Sequence, residues 1–235
     1  PGMAEGVILR GIPANRVTVI PNSCDLDLFD VSSERGRLVR ERLNLTPGQP
    51  LVVYTGTLGL INGLEYLVEA AVTMQDIAPQ VHFLLIGDGA RKEAIIASAE
   101  KAGVLGRNLT IWNSVPKTQM ADVLAAATVA TSLFVPLKSM WNNSANKFFD
   151  ALAAGKPIAI NYGGWQADLL RETGAGIVLP PDDPAEGARQ LAAFVQDTAR
   201  LRAASEVSRH LARTRFDRDT AARQLESVLR TAVGE

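Results

Sequence analysis

Residues 142–158, NNSANKFFDALAAGKPI, bring together side chains that bind anions and hydroxyl groups. The run 142–146 is polar, Lys147 follows it directly, and Ser144 or Asn146 is suited to cap a helix that begins here. A helix start carries free backbone N–H groups and the positive end of the helix dipole. Together with the lysine, these groups predict a site for a phosphate or another anion.

The same stretch also has the pattern of a helix between two buried strands. Residues 148–154 are mostly apolar, Gly155 can end the helix in the left-handed conformation, and Pro157 prevents its continuation. The flanking segments 129–135 and 158–160 are apolar runs of strand length. Doubly wound proteins bind phosphates at such a helix start. An ordinary βαβ unit with a polar loop and no ligand explains these residues equally well. The rest of the chain decides between this interpretation and a phosphate site.

From Leu51 onward, short apolar runs alternate with segments of helical periodicity. The predicted strands are 51–54, 81–86, 109–112, 129–134, 158–160 and 176–179. The predicted helices between them are 64–77, 91–102, 119–127, 148–154 and 165–172, and three more follow from Pro184. Apolar strands separated by helices predict a parallel sheet covered on both faces. We therefore expect an α/β fold, a Rossmann-like doubly wound parallel sheet with strand order 3-2-1-4-5-6.

The first fifty residues lack this regular alternation. The patterns predict a short helix within 1–12, a strand over 17–20, a polar hinge over 22–30 and a surface helix over 34–43. We expect residues 1–30 to be the remnant of an N-terminal domain with an interdomain linker. Residues 31–235 would form the ligand-binding domain, including the C-terminal helices.

Glycine, asparagine and serine cluster at the ends of five predicted strands. The clusters are 56–59, 87–89, 113–115, 142–146 and 161–164. The carboxyl ends of parallel strands meet at one edge of a sheet, so these loops would form the floor of one cleft. Five polar loops at one edge favour a nucleotide-type site over a chance polar loop. The spacing is not GxGxxG, which argues against a dinucleotide site for hydride transfer.

The composition excludes several classes of function. The chain has 235 residues, 47% of them hydrophobic, and a net charge of −1, so nothing favours binding to nucleic acid or to an anionic membrane surface. Cys24 is the only cysteine, which rules out a disulfide or a cysteine-based metal site within the chain. His82 and His210 are expected to be structural or surface residues. No cluster of carboxylates suggests a divalent ion, and we expect neither a metal nor a cofactor.

Five segments resemble, in order and spacing, the C-terminal half of a known enzyme family. They are VIPNSCDLDLF (19–29), YTGTLGLINGLEYLVEA (54–70), FLLIGDG (83–89), NNSANKFFDALAAGKPI (142–158) and GAGIVLPPDDP (174–184). The family is that of the GT-B-fold, family-4-type retaining glycosyltransferases of group 1. Within it, the chain most resembles the bacterial surface-polysaccharide subgroup that includes N-acetylfucosaminyl transferases. The resemblance covers nearly the whole chain and implies the donor-binding, C-terminal half of a GT-B fold.

The resemblance implies a reaction and its partners. Such enzymes transfer a sugar from a nucleoside diphosphate sugar, here a UDP-sugar, to a glycan or lipid-linked acceptor with retention of configuration, in cell-surface polysaccharide synthesis. The donor is a substrate, and no cofactor is implied. The acceptor would bind through the N-terminal domain, so we expect this chain to bind the donor without turnover. The implied location is the cytoplasm, with peripheral contact to the inner membrane face through that domain.

The resemblance also places donor-binding residues in four of the loops. They are Gly56, Thr57, Gly59, Asn62, Gly87, Asn113, Ser114, Val115, Asn142, Ser144, Ala145, Asn146, Lys147 and Asp150. The loop 113–115 would present backbone groups to a uracil-type base. No residue of this chain is assigned as catalytic or as a metal ligand.

The sequence departs from the family at charged positions. The family carries two glutamates eight positions apart, and Asn142 and Asp150 stand in their places. An arginine and a lysine of its first turn are replaced by uncharged residues, the lysine by Asn62. The donor diphosphate then needs other cations or N–H groups, which Lys147 and the helix start can supply. By resemblance, Asp150 accepts hydrogen bonds from the ribose hydroxyls.

Two other interpretations stay open. A GT-B-like sugar-nucleotide epimerase would share the fold, but it needs acid–base carboxylates and histidines in the cleft, and none of the five loops contains histidine. A non-catalytic nucleotide-sugar-binding module would have kept the fold and lost the charged residues.

The last predicted helix carries an apolar stripe. Phe216, Leu225 and Val228 lie along one side of the segment 216–233. We expect this stripe to be partly exposed and to favour self-association of the chain.

Overall fold

The computed structural model describes residues 2–234 and contains one six-stranded parallel sheet. Its strands are β1 Leu51–Thr55, β2 His82–Ile86, β3 Leu109–Trp112, β4 Val129–Ser132, β5 Ile158–Ile160 and β6 Gly176–Val178. Their order is β3-β2-β1-β4-β5-β6, and every neighbouring pair is parallel. This confirms the predicted topology, in which the order reverses between β1 and β4.

Helices precede, connect and follow the strands. They are α1 Gly2–Ile8, α2 Leu26–Phe29, α3 Ser33–Arg42, α4 Glu65–Ile77, α5 Lys92–Lys101, α6 Lys117–Ala126, α7 Asn146–Ala153, α8 Trp165–Thr173, α9 Pro184–Gln196, α10 Thr198–Thr214 and α11 Arg218–Val233. The predicted crossover helices and the three C-terminal helices are all present, and the ends of the crossover helices differ from the prediction by at most two residues. As predicted, Gly155 ends α7 with φ +62°.

The sheet separates two apolar cores because both of its faces are covered. Along β1, Val52 and Tyr54 pack into one core, while Leu51 and Val53 pack into the other. The first core also contains α4, α5 and α9, and the second contains α6, α7, α8 and α10. Strands with both faces buried are apolar throughout, which explains the uninterrupted hydrophobic runs of the sequence.

The predicted strand over 17–20 is wrong. These residues follow a 3-10 turn at Ala14–Arg16 and pair with none of the six strands, and Val19 is 52% exposed. A β-prone run becomes a strand only where a neighbouring strand can satisfy its backbone groups. The chain is anchored just beyond this run, at Cys24, whose side chain is fully buried.

The apolar stripe at the end of the chain is only partly exposed. Phe216 is buried, 5.3 Å between ring centroids from Phe149, so the expectation of an uncovered side chain was wrong there. Leu225 is 51% exposed, which agrees with the expectation, and Val228 is half-buried. Leu229 is also exposed. The stripe that faces solvent therefore lies on the second half of α11. Over residues 2–234, no helix combines the length and apolar character needed to cross a membrane.

Candidate functional site

The loops after β1 and β2 touch through their backbones at the carboxyl edge of the sheet. Gly56 directly follows β1, and its N–H donates to the Ile86 carbonyl at 2.9 Å. A Cβ at Gly87 would overlap the Gly56 carbonyl oxygen, and Gly56 itself has φ +126°. Both positions therefore favour glycine. The structure thus brings the two predicted glycine turns side by side, next to the point where the strand order reverses.

Hydrogen bonds close the turn after β1 around the carbonyl of Thr57. Tyr54 donates its hydroxyl to this carbonyl at 2.8 Å. The side-chain amide of Asn62 is oriented so that its Nδ2 also donates to the Thr57 carbonyl, at 2.8 Å. In this orientation the Asn62 side-chain oxygen faces the Tyr54 hydroxyl. Gly59 directly precedes the 3-10 segment Leu60–Asn62, which brings Asn62 back to this position, where it is 5% exposed. The turn is therefore held in shape before any ligand binds.

Lys147 reaches into this turn from α7. Its Nζ donates to the Tyr54 hydroxyl at 2.8 Å and to the Asn62 oxygen at 3.1 Å. The ammonium group lies 4.5 Å from the centre of the Tyr54 ring, and Cε is 3.2 Å from where a Cβ at Gly56 would lie. Within residues 2–234, no carboxylate lies at ion-pair distance from this lysine. Burial lowers the pKa of Lys147 to about 8.

By the resemblance to the family, this placement would compensate for one of its missing charges. Asn62 stands where the family carries a lysine, and Lys147 brings an ammonium group to the side chain of Asn62 from another element. A buried cation without a carboxylate is costly unless an anion neutralises it. The arrangement therefore suits a bound anion at the Gly56 turn.

The start of α7 differs from the sequence-based prediction. Its N-cap is Ala145, which has no side-chain oxygen, so neither Ser144 nor Asn146 caps the helix. Both side chains are engaged elsewhere: Ser144 Oγ accepts from the backbone N–H of Asn22 at 3.2 Å, and Asn146 Oδ1 accepts from the amide of Asn22 at 2.7 Å. The N–H groups of the first turn of α7 therefore lack a side-chain cap and can serve an anion.

Asp150 lies further along α7 and already has a partner. Its side chain is 16% exposed, and Oδ1 is 3.6 Å from Nζ of Lys117, the first residue of α6. Burial raises the pKa of Asp150, while the Lys117 charge lowers it and the nearby Asp25 raises it further. This carboxylate is neither an N-cap nor a solvent-exposed group. Its predicted contact with a ribose stays a prediction, in which the hydroxyls would share or replace Lys117.

The loop after β3 is linked to the rest of the edge by two lysines. Asn113 and Ser114 are exposed and Val115 is half-buried. Lys92 donates to Asn113 Oδ1 at 2.5 Å, which holds the loop against the start of α5. Lys117 links the end of the same loop to α7. The loop therefore flanks the central turns and leaves its polar groups open to solvent.

Asn142 does not join this group. It is the last residue of the 3-10 segment Lys138–Asn142 and is exposed, and its side chain lies against the backbone of Gly2 in α1. Among residues 2–234, no group of three or more His, Cys, Asp and Glu side chains is arranged to hold a metal ion.

Sequence reasoning missed four residues that shape the site. They are Asn22, Tyr54, Lys92 and Lys117. Tyr54 had a local signal, because it lies near the end of a buried strand just before a glycine turn. The contacts of the other three join distant segments, so no local pattern could have indicated them.

Comparison with known proteins places this chain in a family. Residues 49–197, more than half of the chain, match the family model described as Glycosyl transferases group 1. A D-inositol 3-phosphate glycosyltransferase of Xylanimonas cellulosilytica is 29% identical over 236 residues, covering 93% of this chain and 52% of that protein. A putative colanic acid biosynthesis glycosyl transferase, WcaI of Escherichia coli K12, is 24% identical over 233 residues, covering 97% of this chain and 55% of WcaI.

The fold is also that of solved structures, among them a glycosyltransferase from Rickettsia africae with a TM-score of 0.80 at 14% identity, covering 98% of this chain and 62% of that one. Anabaena Alr3699/HepE in complex with UDP superposes with a TM-score of 0.82 at 19% identity, covering 97% of this chain and 61% of that one. This confirms the expected half of a GT-B fold. The chain spans about half the length of the curated relatives it matches. By the match over residues 49–197, the chain belongs to the group 1 glycosyltransferases.

Proposed function

We propose that this chain is the donor-binding half of a glycosyltransferase that uses a UDP-sugar. The observation that carries the proposal is the half-buried side chain of Lys147, whose ammonium group is held between Tyr54 and Asn62 at the Gly56 turn. A diphosphate bound here would meet this cation and the N–H groups at the start of α7. Charged hydrogen bonds and a helix start are the usual means by which proteins bind such a group.

The remaining loops would bind the rest of the donor. The loop 113–115 would present its open backbone groups to the base, and Asp150 would accept hydrogen bonds from the ribose. The sugar would lie toward the loop 142–146, which resembles the donor-sugar loop of the family. UDP is favoured as the nucleotide because the neighbour HepE was solved with UDP and also with UDP-glucose.

The proposed reaction transfers the sugar with retention to a glycan or lipid-linked acceptor. Negative charge builds on the departing diphosphate, and groups that are already in place for this charge stabilise the transition state without reorganising. The two hydrogen bonds of Lys147 hold its ammonium group in place before this charge develops. The acceptor and further catalytic groups would come from an N-terminal domain, which would also bring the enzyme to the membrane face.

A role in cell-surface polysaccharide synthesis is part of the proposal. It rests on the relative named for colanic acid biosynthesis and on the resemblance to N-acetylfucosaminyl transferases. The epimerase alternative is not favoured. His82 is buried at the amino end of β2, 2.9 Å from Thr110 Oγ1, and so lies away from the carboxyl edge, and His210 is exposed on α10, outside the five loops.

A thermal-shift screen tests the proposal directly. The chain would be mixed with UDP, GDP, ADP and UDP-glucose, because a ligand that binds only the folded state raises its melting temperature. We expect stabilisation by UDP and UDP-glucose and less by the purine nucleotides. Stabilisation by GDP or ADP alone would overturn the choice of base. No stabilisation by any nucleoside diphosphate at millimolar concentration would overturn donor binding itself.

A further inference from the structure

We propose that Asn22 is a positioning residue that fixes the loop 142–146 for donor binding, an inference that rests on the proposed function. Asn22 lies 122 residues before Ser144 in the sequence, yet the two are directly bonded. The Asn22 side-chain amide donates to the Ser144 carbonyl and, at 2.7 Å, to Asn146 Oδ1. Its backbone N–H donates to Ser144 Oγ at 3.2 Å. One asparagine thus contacts the loop through three hydrogen bonds.

Asn22 can hold the loop because its own segment is anchored two residues later. Cys24 is fully buried, and its N–H donates to the Phe216 carbonyl at 2.6 Å. The thiol of Cys24 donates to the Phe149 carbonyl within α7 at 3.2 Å. Residues 22–24 are therefore attached both to α7 and to the segment that precedes α11. Asn22 therefore contacts the loop 142–146 from a fixed position.

Asn22 contacts the start of α7, the part of the helix that has no side-chain cap of its own. The N-cap of α7 is Ala145, and no side chain caps the first turn. Asn22 instead binds the residues on both sides of this N-cap. Lys147 follows Asn146 directly, so the direction of the first turn decides whether its ammonium group reaches Tyr54. A shift of Asn22 would thus change the donor site without Asn22 touching the donor.

The same segment ties the donor loop to α11. The Cys24 carbonyl accepts from the N–H of Arg218, the first residue of α11, at 3.2 Å, and the Arg218 side chain pairs with Asp25. A displacement of α11 would therefore be transmitted through residues 22–25 to the start of α7.

The test combines a loop reporter with ligand binding. Trp165 donates its indole N–H to the Asn143 carbonyl at 3.1 Å, so the indole signal in a ¹H–¹⁵N spectrum reports the loop position. Trp112, which lies in β3 under the Arg42 side chain, provides a reference signal. The variants are Asn22→Ala and Asn22→Asp, and Asn15→Ala serves as an exposed control from the same region. Asn22→Asp replaces the donating amide by a carboxylate, which faces two hydrogen-bond acceptors, the Ser144 carbonyl and Asn146 Oδ1.

We expect both Asn22 variants to shift or broaden the Trp165 signal and to leave the Trp112 signal in place. UDP affinity, measured by calorimetry, should fall about three- to tenfold, the usual effect of losing partly exposed hydrogen bonds. Asn22→Ala and Ser144→Ala should be non-additive, because each removes part of the same contact. Asn15→Ala should match the wild type in every measurement.

The outcomes separate this inference from the proposed function. If the wild type binds UDP and both Asn22 variants bind it equally well with an unchanged Trp165 signal, Asn22 does not position the loop. If the Asn22 variants lower affinity but Trp165 is unmoved, a role through the loop is also ruled out. If the wild type binds no nucleotide, the proposed function fails, and the Trp165 signal still tests whether Asn22 holds the loop.

Discussion

Two half-buried lysines of this protein show how position decides the role of a residue. Lys147 and Lys156 each have a pKa lowered to about 8, mainly by burial. Lys156 precedes β5 at the amino edge of the sheet and donates to the carbonyls of Ala125 and Ala127 at 2.8 and 3.0 Å. It ties adjacent loops together. Lys147 lies at the carboxyl edge beside a glycine turn, where a ligand can approach.

We expect Lys147→Met to weaken UDP binding about 10- to 100-fold, because charged hydrogen bonds to the diphosphate contribute roughly 1.5–3 kcal/mol. Calorimetry of UDP binding measures the effect. Lys156→Met is the matched control: it removes a lysine of similar burial from the opposite edge and should leave UDP affinity within about twofold. Wild-type affinity in a folded Lys147→Met variant would refute the contact.

The lowered pKa of Lys147 also predicts a pH dependence. With the pKa of Lys147 lowered to about 8, we expect the free protein to lose this proton near pH 8, so UDP affinity should fall by up to about tenfold per pH unit above that value, while Lys147→Met should show no such decline. Titrations between pH 7 and 10 measure it. Without ligand, the free energy of unfolding should rise between about pH 8 and 10.4, because the unfolded chain keeps lysine protons that the folded chain has released. An affinity that is constant over this range would contradict the role of the charge.

At the scale of elements, α7 presents its donor-site groups to two neighbours. Lys147 faces the turn after β1, and Asp150 faces the start of α6. Residues three positions apart lie on neighbouring sides of one helix. One short helix can therefore serve both the diphosphate and the ribose of a nucleotide, provided that α6 and the β1 turn are held in place.

Asp150→Ala tests the ribose contact. We expect UDP affinity to fall about 10- to 100-fold while pyrophosphate affinity changes little, because only the nucleotide has ribose hydroxyls to lose. Calorimetry with both ligands separates the two. An equal loss for UDP and pyrophosphate would indicate a shift of α7, and unchanged UDP affinity would exclude the contact.

The packing of α3 on α6 provides a second test at this scale. A Cβ at Gly36 would come within 2.7 Å of the Ala125 backbone, so Gly36→Ala should push the helices apart and lower the free energy of unfolding by about 1–3 kcal/mol. Gly6→Ala in α1 is the control, since open space surrounds that position and alanine favours a helix. Urea unfolding measures both. A Gly36→Ala variant as stable as the wild type would show that the helices can adjust.

For the whole molecule, exposed apolar surface predicts self-association. Leu225 is 51% exposed, Leu229 57% and Val233 72%, all on α11. We expect the average mass in sedimentation velocity to rise with protein concentration, and Leu225→Lys with Leu229→Lys to abolish the rise. A wild type that stays monomeric at high concentration would refute this prediction.

The sequence by itself determined the sheet and the loops that form the site. Period and composition predicted all six strands and their order, because strands buried on both faces are apolar throughout and right-handed crossovers leave few topologies. The same patterns placed the glycine turns at 56 and 87 and the helix after 146. These features depend on local chemistry, which a single sequence displays.

The tertiary structure alone decided which polar groups meet. It showed that Lys147 reaches Asn62, that Asp150 pairs with Lys117 and that Ser144 and Asn146 bond to Asn22 instead of capping α7. It also showed that residues 17–20 find no partner strand and that Phe216 is buried. Each of these outcomes depends on contacts between segments far apart in the chain, which no local pattern encodes.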